Sequence, residues 1–263
     1  EPEKNQTEGF MLVTENGKII MIDGGDQYDK DNVVKLIRQY KNEVDDWHVS
    51  HYHCDHVFAL IRILEEEDIF IKNLYYDFNV SNDILEKYGD EDNYLVARMK
   101  KAVEENRSKI GNVITPEKGN EFVTDGVKVK ILNNATFRAM ANMPNDSSIV
   151  LKVETPGKKI LFLGDLGTYG DVLLKDEYFY NEIRDCEVVQ LGHHGQNGVS
   201  DKFYQSLPAM KTAIYCAPEW LFDCNAGKGI GSGSWQTLRT REIMRVLKIR
   251  KTYSLKYGRV ELG

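Results

Sequence analysis

Short apolar runs with β-type spacing open the chain. Residues 10–13 and 18–22 are rich in β-forming side chains, and Glu15-Asn16-Gly17 lies between them. Asn-Gly between two such runs is a strong short-range signal for a tight hairpin. The second run leads into Asp23-Gly24-Gly25, where glycine permits backbone angles that other residues avoid. The pattern predicts a β-hairpin that ends in a glycine turn.

In the next part of the chain, segments whose apolar residues have helical spacing alternate with apolar runs of strand length. Apolar residues recur with a helical period in residues 31–40 and 57–64, whereas residues 47–50 and 69–76 have the length of strands. Residues 80–111 differ, because they are highly charged and place their apolar side chains at the spacing of amphipathic helices. We interpret this segment as a helical insert or lid beside the core.

After residue 112, the sequence pattern predicts more strands than helices. The predicted strands lie in residues 113–132, 147–154, 159–163, 186–191 and 212–216, with a closing hairpin around Gly258. Strands that alternate with groups of helices in this order predict an α/β protein with two mixed β-sheets packed face to face and helices outside. We expect a flexible polar tail over residues 1–8 and a single domain over residues 9–263.

Composition narrows the classes of function. The chain has 263 residues, of which 41% are apolar, and this is enough for one large α/β domain. No apolar run approaches the roughly 18 to 20 residues that a membrane-spanning helix needs, so we predict no membrane span. The net charge of −7 argues against a general nucleic-acid binder, because phosphate binding draws on clustered Lys and Arg. No pattern predicts an obligate protein partner.

One segment departs from this acidic balance. Residues 239–259 carry eight basic side chains and a single acidic one, Glu242. Such a segment could face an anionic substrate, but we favour a solvated helix and edge strand. The four cysteines form no CxxC pair, so they predict neither a zinc finger nor a disulfide framework.

The histidines are concentrated at two places. Four of the six lie within residues 48–56, and the other two are His193 and His194. On an extended segment His51 and His53 alternate, so that their rings point the same way. Asp55 and His56 follow where the chain turns into a helix. One loop therefore presents three imidazoles and a carboxylate, which are ligands suited to Zn²⁺ and also to Mn²⁺ or Fe²⁺.

This histidine loop carries a resemblance to a known family. His51-x-His53-x-Asp55-His56, placed after a strand and before a helix, resembles the HxHxDH motif of the metallo-β-lactamase superfamily. Asp23-Gly24-Gly25 looks like the first motif of that superfamily, an aspartate that supports the site from behind the ligands. Asp165, after Gly164 at a strand end, resembles the bridging aspartate, and His193-His194-Gly195 resembles the late histidine ligand.

The resemblance implies a fold and a metal site. The fold would be the four-layer αββα metallo-β-lactamase fold, and the cofactor would be two divalent metal ions, with zinc first. The implied metal ligands are His51, His53, Asp55, His56, Asp165 and one of the pair His193/His194. We assign the ligand role to His193 and a substrate contact to His194, although the sequence does not separate the two.

One departure from the superfamily pattern points to a branch. Many members place a histidine between the motif helix and the bridging aspartate, but residues 57–192 contain none. The matching segment, Pro144 to Leu151, resembles the metallo-hydrolase domain of ComEC-type competence proteins and also looks similar to phosphorylcholine esterases that act on teichoic acids. Asn145, Asp146, water or a rearranged His193/His194 would then complete the metal site.

These observations predict a metal-dependent hydrolase, with phosphodiester hydrolysis by a metal-bridging hydroxide as the first hypothesis. The substrate would be an anionic phosphodiester in a nucleic acid, a cell-wall polymer or a small molecule. Asp55, His194 and Asn145 are the predicted catalytic residues. A hydrolase of carbon esters, lactones or thioesters on the same metals is the alternative, and a non-catalytic metal-binding module is a third hypothesis. The resembling branches, and a chain that begins at Glu1, favour an extracytoplasmic location.

Overall fold

The computed structural model describes residues 5–138 and 142–261. They form two compact units, which are described separately. The N-terminal unit is Thr7–Ile149, and the C-terminal unit contains residues 5–6 and 150–261. Within the described ranges, every helix is too short or too polar to cross a membrane.

The N-terminal unit is built on a mixed five-stranded sheet. The strands are β1 (Gly9–Val13), β2 (Ile19–Asp23), β3 (Glu43–His48), β4 (Phe70–Tyr75) and β5 (Ile110–Ile114), in that order across the sheet. Strands β1 and β2 are antiparallel, whereas β2 to β5 are parallel. The predicted Asn-Gly hairpin is confirmed, with Gly17 at a φ of 72°. A second hairpin joins β6 (Glu121–Thr124) to β7 (Val127–Ile131).

The described part of this unit contains five α-helices. They are α1 (Lys30–Arg38), α2 (Cys54–Glu66), α3 (Asn82–Tyr88), α4 (Tyr94–Glu105) and the short α5 (Met143–Asp146). The insert predicted from its charge and spacing contains α3 and α4, joined by a 3-10 turn over Glu91–Asn93. Its apolar side chains belong to the same buried cluster as those of α2, so the insert is packed into the core of the unit.

The C-terminal unit also carries a mixed sheet. Its strands are β8 (Leu151–Glu154), β9 (Lys159–Phe162), β10 (Val188–Gln190), β11 (Thr212–Tyr215) and β12 (Lys251–Ser254), in the order β12-β11-β10-β9-β8. Only β8 and β9 pair antiparallel among these strands. The helices of the unit are α6 (Gly170–Leu173), α7 (Glu177–Ile183), α8 (Asp201–Gln205), α9 (Glu219–Phe222) and α10 (Thr237–Val246).

Two regions differ from the expectations. The closing hairpin is wrong, because β12 pairs in parallel with β11 and residues 258–261 contain no strand. The other region is the predicted polar tail, where Thr7 and Glu8 are buried. The backbone N–H of Glu8 donates to the carbonyl of Asp55 at 2.9 Å, and this bond ties the start of the unit to the motif helix.

Candidate metal centre

Asp23, at the end of β2, organises the histidine loop of the N-terminal unit. Its carboxylate is fully buried and accepts hydrogen bonds from the Ser50 backbone N–H and the Ser50 hydroxyl, both at 2.7 Å. It also accepts from Nδ1 of His56 at 2.9 Å. The residue adopts a positive φ of 54°, an uncommon conformation outside glycine that tends to occur at functional sites.

These bonds determine which nitrogen of each ring carries a proton. An ionised carboxylate only accepts hydrogen bonds, so Nδ1 of His56 donates and Nε2 keeps its lone pair. The Ser50 hydroxyl gives its only proton to Asp23, and Ser50 Oγ therefore accepts from Nδ1 of His51 at 3.0 Å. Both rings are thus oriented with Nε2 able to bind a metal ion, an arrangement typical of metal-ligating histidines.

His53 is held from a different side. Its Nε2 lies 2.8 Å from a carboxylate oxygen of Asp90, which precedes the 3-10 turn between α3 and α4. Burial raises the pKa of Asp90, but the hydrogen bonds that its carboxylate accepts from His53 and from backbone N–H groups hold that pKa below its usual range. The ionised carboxylate accepts the Nε2 proton, and Nδ1 of His53 keeps the lone pair. A ligand nitrogen of His51 and one of His53 lie within 4.8 Å of each other.

The glycine turn after Asp23 allows the backbone of β2 to approach the motif helix. Gly24 N–H donates to the His56 carbonyl at 2.7 Å, and Ala59 N–H donates to the Gly25 carbonyl at 3.1 Å. A Cβ at Gly24 would come within 3.1 Å of the Trp47 ring, so a side chain there would force the turn away from α2. This close approach is the physical reason for the Asp-Gly-Gly sequence.

Glu8 adds a carboxylate that the sequence did not indicate. Its side chain is fully buried, and one of its oxygens lies within 4.8 Å of a ligand nitrogen of His56. In the metal-ligand chemistry of proteins, a buried carboxylate beside an imidazole is a donor pair that suits a divalent cation. Glu8 sits in a polar stretch without any motif, so only the fold could reveal it.

The segment predicted to stand in for a missing histidine lies beside the histidine loop. Asn145, Asp146 and Ser147 are buried at the end of α5. Ile149 N–H donates to the Ser50 carbonyl at 3.0 Å, which joins this segment to the residue before His51. The catalytic role of Asn145 stays a prediction.

His48 differs from the metal-ligand candidates of the histidine loop. It is buried and stacked on Tyr75, with ring centroids 4.2 Å apart. Burial lowers the pKa of His48 to about 4, although Asp46 raises it in part. Neither ring nitrogen has a hydrogen-bond partner among the residues that the structure describes. His48 is therefore a core residue, as its position on β3 indicated.

In the C-terminal unit, Asp165 and the adjacent histidines follow the ends of β9 and β10. Asp165 and His194 are fully buried, and His194 Nε2 lies 3.4 Å from Oδ2 of Asp165. Nδ1 of His194 lies 2.9 Å from the Cys216 carbonyl, which only accepts, so Nδ1 donates and Nε2 keeps its lone pair. His193 is more exposed, and its Nε2 lies 3.8 Å from the same carboxylate oxygen.

The backbone of this histidine pair is strained. His193 and His194 have φ values of 51° and 57°, a region that costs a non-glycine residue of order 1–3 kcal/mol. Gly195 continues the turn at a φ of 82°, and a Cβ there would lie 2.3 Å from a ring carbon of Tyr215. The sequence His-His-Gly therefore allows a tight turn that brings His194 beside Asp165.

Gln190 connects the two strand ends in this unit. Its side-chain carbonyl accepts from Leu163 N–H at 2.6 Å, and its amide donates to the carbonyls of Gly164 and Leu191 at 3.0 and 2.7 Å. His193 N–H also donates to the Gly164 carbonyl at 3.0 Å. A fully buried glutamine thus fixes the turn that carries Asp165 against the turn that carries the histidines.

The donor chemistry of both units fits divalent metal ions. In the C-terminal unit, a carboxylate oxygen and a lone-pair nitrogen face each other at 3.4 Å, and two such electron-pair donors repel unless a cation or proton lies between them. In the N-terminal unit, His51, His53 and His56 each present one lone-pair nitrogen, and Asp55 Oδ1 lies 4.0 Å from Nε2 of His56. Imidazole and carboxylate are the ligands that zinc prefers along with thiolate.

Some supporting residues left no recognisable signal in the sequence. Ser50 could have been noticed because it precedes His51, whereas Asp90 lies 37 positions from its partner among many other acidic residues. Cys54 is half-buried against the hydrophobic core of the N-terminal unit. In the basic C-terminal segment, Arg239, Arg241 and Lys256 pair with aspartates of their own unit.

Comparison with known proteins gives the family. The family model described as Metallo-beta-lactamase superfamily matches residues 10–218. No curated protein matches the chain. The chain therefore belongs to the metallo-β-lactamase superfamily, a superfamily of metal-dependent hydrolases. It has the α/β metallo-β-lactamase fold, with two mixed sheets flanked by helices, as the sequence predicted.

Solved structures agree on the fold. The metallo-beta-lactamase fold protein YhfI from Bacillus subtilis is 10% identical, with a TM-score of 0.59, and the match covers 100% of this chain and 94% of YhfI. Yeast PDE1 is 10% identical, with a TM-score of 0.55 and coverage of 97% and 94%. A diphosphatase from the PhnP family is 12% identical, with a TM-score of 0.50 and coverage of 85% and 80%. At these identities the likeness concerns the fold alone.

Proposed function

We propose that this protein is a metal-dependent phosphodiesterase with a binuclear site, and that zinc is its preferred metal. The observation that carries the metal part is the set of hydrogen bonds that hold three imidazole rings of one loop. His51, His53 and His56 each give one N–H to an acceptor of the N-terminal unit and keep a lone pair on the other nitrogen. The proposed ligands from this unit are these three histidines and Asp55, with Asp23 as the support of His56 and, through Ser50, of His51.

Asp165 and His194 are the proposed ligands from the C-terminal unit. The sequence favoured His193 as the ligand and His194 as a substrate contact. The contacts within the unit support the reverse, because His194 is buried, donates Nδ1–H to Cys216 and turns its lone pair toward Asp165. His193, which is partly exposed, is the better candidate for exchanging a proton with a substrate oxygen.

Glu8 is the candidate that the fold adds for the missing middle histidine. It is a buried carboxylate next to His56, and carboxylates replace imidazoles in many metal sites. Asn145 and Asp146 remain the candidates that the sequence predicted, and both are buried.

The chemistry divides between the metals and the chain. When bound, a pair of divalent metal ions supplies Lewis acidity and lowers the pKa of water toward about 7. The side chains of Asp23 and Asp90 hold the rings in one tautomer, so that no reorientation is needed on binding. Asn145 and His193 are proposed to contact the substrate, through an amide dipole and an exchangeable proton.

Phosphodiester hydrolysis is preferred over carbon-ester hydrolysis for two reasons. The Asn145-Asp146-Ser147-Ser148 segment, followed by a strand and by His193-His194-Gly195, resembles the ComEC-type and phosphorylcholine-esterase branch. A diphosphatase is also among the proteins that share the fold, so the fold is compatible with attack on phosphorus. The opposing observation is that basic residues near the C-terminus are paired with acids, which weakens any role in attracting an anion.

The test combines metal analysis with turnover. The purified protein should contain about two equivalents of transition metal and should hydrolyse bis-p-nitrophenyl phosphate. His56→Ala should lose both properties, whereas His48→Leu, which changes a core histidine of the same unit, should keep them. Turnover of lactones or thioesters alone would favour the alternative hydrolase, and bound metal without turnover would favour a binding module. Protein that stays metal-free after reconstitution would contradict the proposal.

A further inference from the structure

The turn between α3 and α4 contacts three consecutive residues of the histidine loop. Asp90 accepts from Nε2 of His53 at 2.8 Å, and Asp92 accepts from the Cys54 backbone N–H at 2.8 Å. Asn93 accepts from the Tyr52 hydroxyl at 3.4 Å. All these residues belong to the N-terminal unit. The turn of the insert therefore lies directly against the loop that presents the metal-ligand candidates.

Hydrogen bonds within the turn make it a rigid platform. Asp90 Oδ1 accepts from Asp92 N–H at 3.0 Å, and Asn93 Oδ1 accepts from Asp90 N–H at 3.1 Å, which forms a capping box. Asn93 also donates to the Leu85 carbonyl at 2.8 Å and so joins the turn to α3. A Cβ at Gly89 would come within 1.9 Å of Asn93 Oδ1, so glycine is needed for the turn to close.

The platform is fixed to the helix that begins at the motif. Helix α4 packs on α2 through apolar residues, of which Leu95 and Met99 are fully buried. Arg98 of α4 forms an ion pair of 2.7 Å with Glu65 and lies 4.7 Å from the centroid of the Phe58 ring. Asp90 consequently keeps its position relative to α2, whose first residue follows His53.

We propose that Asp90 is a positioning residue that orients His53 with Nδ1 as its metal-binding atom. This inference rests on the proposed function, because it assigns a role toward the same metal site. A carboxylate on one imidazole nitrogen fixes the tautomer and increases the electron density at the other nitrogen. The helical insert is then part of the metal-site architecture, supporting one ligand as Asp23 supports the others.

The opposite role for Asp90 makes a different prediction. If its carboxylate competed with the metal for His53, removal of the charge would strengthen metal binding. If Asp90 orients His53, removal of the acceptor would weaken metal binding and alter the tautomer of that ring. Metal affinity together with the His53 tautomer therefore separates the two roles.

Asp90→Asn is the informative variant, with Asp92→Asn as its control. Both changes remove one negative charge from the same turn, and asparagine can still cap the turn. Only Asp90 contacts a ring, because Asp92 accepts from a backbone N–H. Asp90→Ser provides a second cap-forming variant without a carboxylate. Circular dichroism and thermal melting of the metal-free proteins would show that each variant is folded.

The readouts are cobalt(II) affinity from visible absorption and the His53 tautomer from nitrogen-15 NMR of the full chain. We expect Asp90→Asn to bind cobalt about 10- to 100-fold more weakly and to lose the Nε2-protonated form, with Asp92→Asn close to wild type. Unchanged or tighter cobalt binding in Asp90→Asn would overturn the inference alone. Wild-type protein that binds no cobalt or zinc would contradict the proposed function, and the His53 tautomer in metal-free protein would still decide whether Asp90 orients that ring.

Discussion

The histidine loop of the N-terminal unit and the histidine pair of the C-terminal unit use different acceptors to orient their imidazole rings. In the loop, the acceptors for the ring N–H groups are the side chains of Asp23, Ser50 and Asp90. In the pair, the acceptor for His194 is the backbone carbonyl of Cys216. Side-chain acceptors can be changed by substitution, whereas a backbone carbonyl moves only with its strand.

Backbone strain is also distributed differently. Among the ligand candidates and their supports, the positive φ is found at Asp23, a support, in the N-terminal unit and at His193 and His194 themselves in the C-terminal unit. The loop therefore depends on charge and hydrogen bonding, and the pair depends on packing that keeps a strained turn in place. From this difference we expect metal affinity to respond most to carboxylates in the first unit, and folding stability to respond most to buried polar contacts in the second.

Asp23→Asn should have the largest effect on metal binding. The variant replaces the carboxylate that accepts from Nδ1 of His56 and from the Ser50 hydroxyl by an amide, which can offer an N–H in place of one acceptor oxygen. His51 is affected indirectly, because its Nδ1 donates to Ser50 Oγ. Loss of one such support commonly costs 10- to 100-fold in metal affinity, so we expect about 100-fold here. Zinc competition with a chromophoric chelator measures the change.

Asp31→Asn serves as a control for Asp23→Asn, because it makes the same change on α1 of the same unit, where the Asp31 side chain is 88% exposed. It should bind zinc like the wild-type protein. Equal zinc affinity in Asp23→Asn and wild type would break the comparison, since it would mean that carboxylate support contributes nothing in the N-terminal unit.

Gln190→Leu should have the largest effect on folding in the C-terminal unit. Leucine leaves Leu163 N–H and the carbonyls of Gly164 and Leu191 without their buried partner. A buried polar group that loses its partner costs about 1–3 kcal/mol, and partial relaxation leads us to expect a decrease of about 3 kcal/mol in the free energy of unfolding. Urea unfolding of the metal-free protein measures it.

Gln205→Leu is the matched control, because Gln205 is exposed at the end of α8. A surface change of this kind should stay within about 0.5 kcal/mol of wild type. A change in the free energy of unfolding as small for Gln190→Leu as for Gln205→Leu would contradict this prediction. It would mean that the two strand ends do not depend on the glutamine and that other contacts stabilise the strained histidine turn.

The sequence predicted those parts of the site that have local signatures. The cluster of His51, His53, Asp55 and His56 was predicted from its spacing at a strand-to-helix junction. Asp23, in its glycine turn, was predicted from the resemblance to the first motif of the superfamily. Mixed sheets and most strand positions followed from periodicity for the same reason. Asp90, Gln190 and Glu8 have no local signature, because their roles depend on contacts with residues far away in the chain.

Two other differences have a physical explanation. The closing hairpin was predicted from β-rich residues around Gly258, but parallel pairing of β12 with β11 uses the same β propensity in another way. The proposed exchange of roles between His193 and His194 rests on which ring is buried beside Asp165, and adjacent residues of one type cannot be distinguished by pattern.

His48 allows a buried core histidine to be compared with the ligand candidates of the same unit. Its folded-state pKa of about 4 lies below the ordinary value near 6.5, because burial disfavours the charged ring. A depressed pKa contributes stability above about pH 6.5, and this stability is lost as the pH falls toward 4, since the unfolded chain binds the proton first. Between pH 7 and 5 the contribution should decrease by about 2 kcal/mol. Urea unfolding of metal-free wild type and His48→Leu at both pH values measures it as a difference. The variant should lose less stability than wild type on acidification. Identical pH dependence in the two proteins would contradict the prediction, because it would mean that the His48 ring binds a proton in the folded protein as readily as in the unfolded chain.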